Sequence, residues 1–417
     1  MKILKKIVFN YYYIFFFLSA LQTLSLDLRL IPVIKILLFV YSITFIGKYV
    51  HERSSNSLFI LGRTLLLLFI SYFILSGISY FDANKPAACF LNGLIVYIVP
   101  LCSFFFSYSL TSEDEIKLYK KIVNALLVGC IVGLILYFWS PAWYVAWRLT
   151  SYVEWVGADN ALSVYEQYNN LSSVFSHPYY ISFTGVFLIS VFLNRIYNNI
   201  DRNRNFFFFF LTLLTLVLAQ QRITIVFVIL LVLIYSIIGI TKGRKIFLTI
   251  VLVLFTVILY FIIHYYDIIV FLVERYSSVF DSKTLVSGRT DIAYKLLNTD
   301  YNFMFGEGAN LTGHIAIQYG KACIPDSEYL KFIYELGLVG SFIFFSYGLL
   351  TIYVAYKYRL YIELPVVIFF VLAMYGANPF EKDNIILLYW ICSGRVWRKA
   401  LIFDKSCMSS HHSRILI

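Results

Sequence analysis

Few side chains in this 417-residue sequence can bind or move charge, and they gather in short motifs. Arg222 closes the motif AQQR just before a long apolar run. A guanidinium held at the level of lipid headgroups can grip a phosphate with two parallel hydrogen bonds, which a lysine point charge does less specifically. An interfacial arginine reaching out to water leaves the same trace in a sequence. Gln220 and Gln221 beside it extend a polar cluster. Arg289, in SGRTDIAY, falls near the start of a predicted short helix, where free backbone N–H groups and the helix dipole also favour an anion. Its alternative is a surface ion pair with Asp291 or Asp281. Two such arginines together suggest an anionic ligand, which neither suggests alone.

Asp326 and Glu328, in CIPDSEYL, stand before another apolar helix. Either suits a general base, or a negative N-terminal cap worth only about 0.3–1 kcal/mol. Lys331 and Glu335, four residues apart, read most simply as a structural pair. His177, in SSVFSHPYY, and His314 are candidate bases or donors near neutral pH, although a lone loop histidine is more often simply solvated. Trp143, Trp147, Trp155 and Tyr165 share one loop and could stack on sugar faces or form a membrane-interface belt. No metal-ligand cluster and no glycine-rich phosphate loop is present, so no cofactor is expected.

Membrane helices must position these groups. Hydrophobic residues make up 60% of the chain and charged residues 14%, against roughly a quarter charged in soluble domains. That polar surface is too small to cover a soluble fold, so the chain reads as an all-α polytopic membrane protein, with residues 1–417 as one integral membrane domain. A span needs about 20 apolar residues. Twelve runs qualify, near 7–26, 30–47, 58–81, 87–110, 122–140, 179–194, 206–219, 223–240, 246–266, 329–356, 361–377 and 385–396. The first, with its basic start, reads as an uncleaved helix and not as a signal peptide. The six cysteines offer no disulfide or metal framework.

An even number of spans puts both termini on one side. Short loops and tails on that side carry 21 of the 34 basic residues, which makes it cytoplasmic. Two long outer loops break the pattern of short connections, 141–178 and 267–328. In the second, Thr290 would cap a short helix with Ile292, Leu296 and Leu297 on its apolar face, followed by the glycine-punctuated FGEGANLTGH. The net charge of +11 is thereby accounted for by topology and gives no reason to expect nucleic acid. Outer segments carry 16 acidic and 11 basic residues. An anionic ligand there would need particular arginines, because diffuse attraction would not capture it.

The order SSVFSHPYYISF, AQQRITIVFVI, SGRTDIAYKLLNTDYNFMFGEGAN and DSEYLKFIYELGLVG, over roughly residues 165–345, resembles the bacterial O-antigen and capsule polymerases (Wzy-type) and the related O-antigen ligases. That resemblance implies a GT-C-like glycosyltransferase of the bacterial inner membrane, acting at the periplasmic face on oligosaccharide repeat units carried by undecaprenyl diphosphate. It also implies membrane lipids and a chain-length regulator as partners. Carried onto this sequence, the family's two arginines fall on Arg222 and Arg289, where they would hold the diphosphate. Ligases of the family have a histidine in a pattern like HN-x-YL; here that position is Asp326 in DSEYL, which favours polymerase over ligase.

A lipid diphosphate leaving group already carries the activation, so such an enzyme must place an acceptor hydroxyl, remove its proton and stabilise the departing charge. Arg222 and Arg289 suit the last task, and Asp326, Glu328 or His177 the second. Gln221, His314, Trp143 and Trp147 are the expected substrate contacts. A polysaccharide-lipid flippase or other transporter is the rival from another class, but transporters place ionisable groups near the midplane and repeat their halves. Here the candidates within spans are Lys35 and Arg63, and no repeat is visible.

Overall fold

The computed structural model describes residues 10, 12, 45–47, 49–52, 54, 56–81, 85–146, 148–149, 178–219, 221–244, 246–252, 255, 301–313, 316, 318–319, 324, 327–375, 379–381 and 383–415, with 178–180, 222, 381, 383–384 and 404–415 described by backbone alone. Among the described residues the structure is 84% helical without strands, and six helices are long and apolar enough to cross a membrane. The protein is thus an all-α polytopic membrane protein, as its apolar runs require.

Helix α1 (Ser57–Leu75) starts where the Asn56 side chain accepts the backbone N–H groups of Leu58 and Phe59, at 2.9 and 3.4 Å, and it runs into a 3-10 turn, Ser76–Phe81. The next span joins α2 (Ala87–Gly93) to α3 (Val99–Ser109) through a π turn, Leu94–Ile98. Helix α4 (Ser112–Trp139) is capped by Thr111, and Glu113, Asp114 and Glu115 complement the positive end of its dipole. It begins at Ser112, well before the apolar run predicted from 122, because SEDEIKLYKK continues the helix beyond the hydrocarbon. Then come α5 (Pro178–Tyr197), α6 (Arg202–Ala219), α7 (Arg222–Thr241), α8 (Glu328–Lys357), α9 (Glu363–Ala373) and α10 (Asp383–Ile415).

The spans expected at 179–194 and 361–377 are shorter apolar helices, Ile181–Tyr197 and Glu363–Ala373, and the one at 385–396 lies inside α10. Those expected at 7–26, 30–47 and 246–266 fall largely outside the described residues, as do most of loop 141–178 and the predicted helix near Thr290.

Lipid is as apolar as leucine, so close packing holds such a bundle together. α10 lies along α3, α8 along α1, and α6 and α9 along α5. Aromatic rings fill the seams: Phe370 stacks on Tyr389 with centroids 3.9 Å apart, and Phe332 on Phe344 at 4.9 Å. Gly62 leaves room for the Trp397 ring. At the end of the bundle where α9 begins, Glu115 of α4 pairs with Arg395 and, at 2.9 Å, with Lys399 of α10. Lys399 also reaches Glu363 of α9 at 3.3 Å, and the Tyr119 hydroxyl donates to Glu363 at 3.1 Å.

Candidate functional site

Three ionisable residues, Glu328, Lys331 and Glu335, lie along one face of the first turns of α8, at 0%, 0% and 1% exposure. Charged groups inside a span are costly and rare unless they are used, so this stripe marks a candidate functional centre. The Tyr97 hydroxyl, presented by the π turn, donates to Glu328 at 2.8 Å. The Lys331 ammonium lies 5.5 Å from the centroid of the same ring. The Glu328 backbone N–H is taken by the carbonyl of Met374, just past α9.

Two residues beyond Glu335 the helix breaks. Gly337 has φ 63° and ψ −173°, outside helical geometry, so neighbouring carbonyls and N–H groups lose their intrahelical partners. The segment 301–313 supplies replacements. Glu307 and Gly308 donate their N–H groups to the carbonyls of Tyr334 and Glu335, both at 2.9 Å. In return Leu338 and Val339 donate to the carbonyls of Phe303 and Met304, at 2.9 and 3.1 Å. The Tyr72 hydroxyl of α1 lies 2.9 Å from both the Leu336 and the Phe305 carbonyls. Gly306, at φ 80°, comes so close that an added Cβ would overlap the Glu335 carbonyl.

Side chains finish the docking. Both Glu335 oxygens are occupied: one accepts the Asn310 N–H at 2.7 Å, the other the Thr312 N–H at 2.8 Å and the Thr312 hydroxyl at 2.6 Å. Asn310 then donates to the Cys89 carbonyl of α2 at 3.1 Å, and Tyr80 donates to the carbonyl of Ala309. Lys85 pairs with the Glu307 carboxylate at 2.9 Å. The sequence reading of Lys331 and Glu335 as a simple pair thus misses what the carboxylate does, which is to hold a loop 23 to 25 residues away.

Glu328 is buried on a tyrosine hydroxyl. Gln221 precedes α7 as its N-cap residue without a side-chain cap bond, and Arg222 is the first residue of that helix. Trp143 is 45% exposed, edge-on to Tyr144 at 6.0 Å, a posture that suits a sugar face or a membrane interface equally. Arg289, Asp326, His177, His314 and Trp147 lie outside the described residues. Tyr72, Tyr80, Lys85, Tyr97, Asn310 and Thr312 escaped the sequence reading. Only the glycines of FGEGANLTG and ELGLVG hinted at them, by marking backbone that no ordinary helix or turn requires.

The arrangement defines a helical membrane protein with the segment 301–313 docked into a broken span. The family model Wzy_C, described as O-antigen ligase, matches residues 207–345, from α6 through the large loop and past the Gly337 break. This stretch carries an O-antigen-ligase-like domain, in keeping with the resemblance to the O-antigen polymerase and ligase superfamily. The superfamily is one of membrane enzymes in polysaccharide biosynthesis, and the match supports an enzymatic role. No curated protein matches the chain.

Proposed function

We infer that this protein is a polysaccharide polymerase of the O-antigen, capsule or exopolysaccharide type, joining oligosaccharide repeat units carried on undecaprenyl diphosphate at the periplasmic face of the bacterial inner membrane. The observation that carries this reading is the match over residues 207–345, which holds Gln221, Arg222, Arg289, His314, Asp326 and Glu328 together with the docked segment 301–313. In the reaction, the acceptor hydroxyl oxygen attacks the anomeric carbon from the face opposite the diphosphate. The bond between that carbon and the diphosphate oxygen breaks with inversion. The hydroxyl proton passes to a general base, and the lipid diphosphate leaves with the bonding electrons.

Arg222 and Arg289 stabilise the charge that grows on the leaving group, where preorganised donors contribute most. Asp326 takes the proton, with His177 as the other candidate. Glu328, fully buried on Tyr97, anchors the start of α8 two residues after Asp326. Trp143, Trp147 and His314 line the sugar path, and a chain-length regulator would act on the same outer surface.

The ligase reading has its own support, since the matching model is described as O-antigen ligase. Against it stands Asp326 where the ligases have histidine. Replacing Arg289 or Arg222 by Ala in the native host, and resolving surface polysaccharide on a gel, separates the readings. Loss of either arginine should lower turnover on the order of 10²-fold or more and leave single repeat units attached. Loss of every attached unit would indicate the ligase, and a normal long-chain ladder would sink both.

A further inference from the structure

Segment 301–313 is wedged between two spans that both abandon regular α geometry where they touch it. On one side is the Gly337 break; on the other, Gly93 opens the π turn and approaches so closely that an added Cβ would lie 3.0 Å from the Asn310 Cβ. Asn310 itself is left-handed, at φ 64°. One side chain answers from α8 to this strained stretch. Three donors converge on the two oxygens of Glu335, and an amide, with a single acceptor oxygen, could not serve all three.

We propose that Glu335 is a positioning residue for glycosyl transfer, holding segment 301–313 in a single register against α8 and α2. The segment follows Arg289 by a short stretch of chain and is followed by His314 and Asp326. Fixing it fixes one end of each flank on which the proposed diphosphate ligand and base are carried. Glu335 touches no reacting atom; it acts through Asn310 and Thr312. Lys331, buried one turn before it on the same face, supplies the balancing charge. This role rests on the polymerase reading given above.

The test uses the full-length protein in lipid nanodiscs with a polyprenyl-diphosphate-linked repeat unit as donor. Glu335→Gln should lower kcat by about tenfold to a hundredfold, the scale of an ångström misplacement, with little change in the KM of the donor. Hydrogen exchange at the amides of Asn310 and Thr312 should quicken in the same variant. Adding Lys331→Met to Glu335→Gln removes the ammonium that the Glu335 carboxylate had balanced; the melting temperature should recover while kcat does not. Recovery of kcat together with the melting temperature would show a purely structural role and overturn the proposal. Unchanged exchange at both amides in Glu335→Gln would overturn it too. If the wild-type protein turns over no lipid-linked donor, the polymerase reading fails, and the exchange result still decides whether Glu335 holds the segment.

Discussion

Glu328 and Glu335 show how one residue type in one helix can be put to two different uses by what surrounds it. Seven residues apart, both are buried in the first turns of α8. Glu328 faces a tyrosine hydroxyl across the bundle, whereas Glu335 faces the backbone of a returning loop. The sequence offers general base or dipole cap for Glu328, and simple pair for Glu335; neither choice includes accepting hydrogen bonds from partners hundreds of residues away or across a loop. Tyr97, the donor to Glu328, lies in an apolar run where it looks like any interior aromatic. Its partner became visible only in three dimensions. Tyr97→Phe should destabilise the protein by about 1–3 kcal/mol, because a buried carboxylate loses a donor. A thermal or denaturant midpoint in detergent identical to wild type would refute that role.

Most spans were legible as elements, since twenty apolar residues in a row have no stable alternative to a membrane helix. Boundaries and irregularities were less so. α4 and α10 run past their predicted ends into polar sequence that continues the helix outside the hydrocarbon. The Gly337 break is invisible to hydropathy, which sees one unbroken run from 329 to 356. It exists because the loop's N–H and carbonyl groups replace the helix's own. Gly337→Ala should therefore cost more than an ordinary helical glycine substitution: roughly 1–3 kcal/mol for a backbone conformation that essentially only glycine adopts, with overlap against the Met304 carbonyl added. Gly348→Ala, whose new methyl would meet only Val371 at 3.6 Å, is the control. Equal melting temperatures for the two variants would mean that the break is not needed.

For the whole molecule, the proposed topology divides the charge by side. On the topology expected from the sequence, the +11 surplus resolves into a basic cytoplasmic face and an acidic outer one, and among the described residues one polar cluster lies at the start of α8 and another near its finish. Glu328, Lys331 and Glu335 occupy its start, while the Glu115, Glu363, Arg395 and Lys399 cluster lies where α9 begins, just after its finish. The proposed topology makes the first cluster periplasmic and the second cytoplasmic. In a cysteine-free background, Tyr319→Cys should react with a membrane-impermeant maleimide in spheroplasts, and Asn198→Cys only after permeabilisation; the reverse pattern would invert the topology. Composition and apolar run length determined by themselves that this is a helical membrane protein, because solvent preference is a sum over residues and needs no partner. Motif order along the chain was enough to place it near the O-antigen polymerases and ligases. The tertiary structure alone decided that α8 breaks, that segment 301–313 fills the break, and that Glu335 holds it there. A hydrogen bond between residues far apart in sequence leaves no periodic trace in either of them.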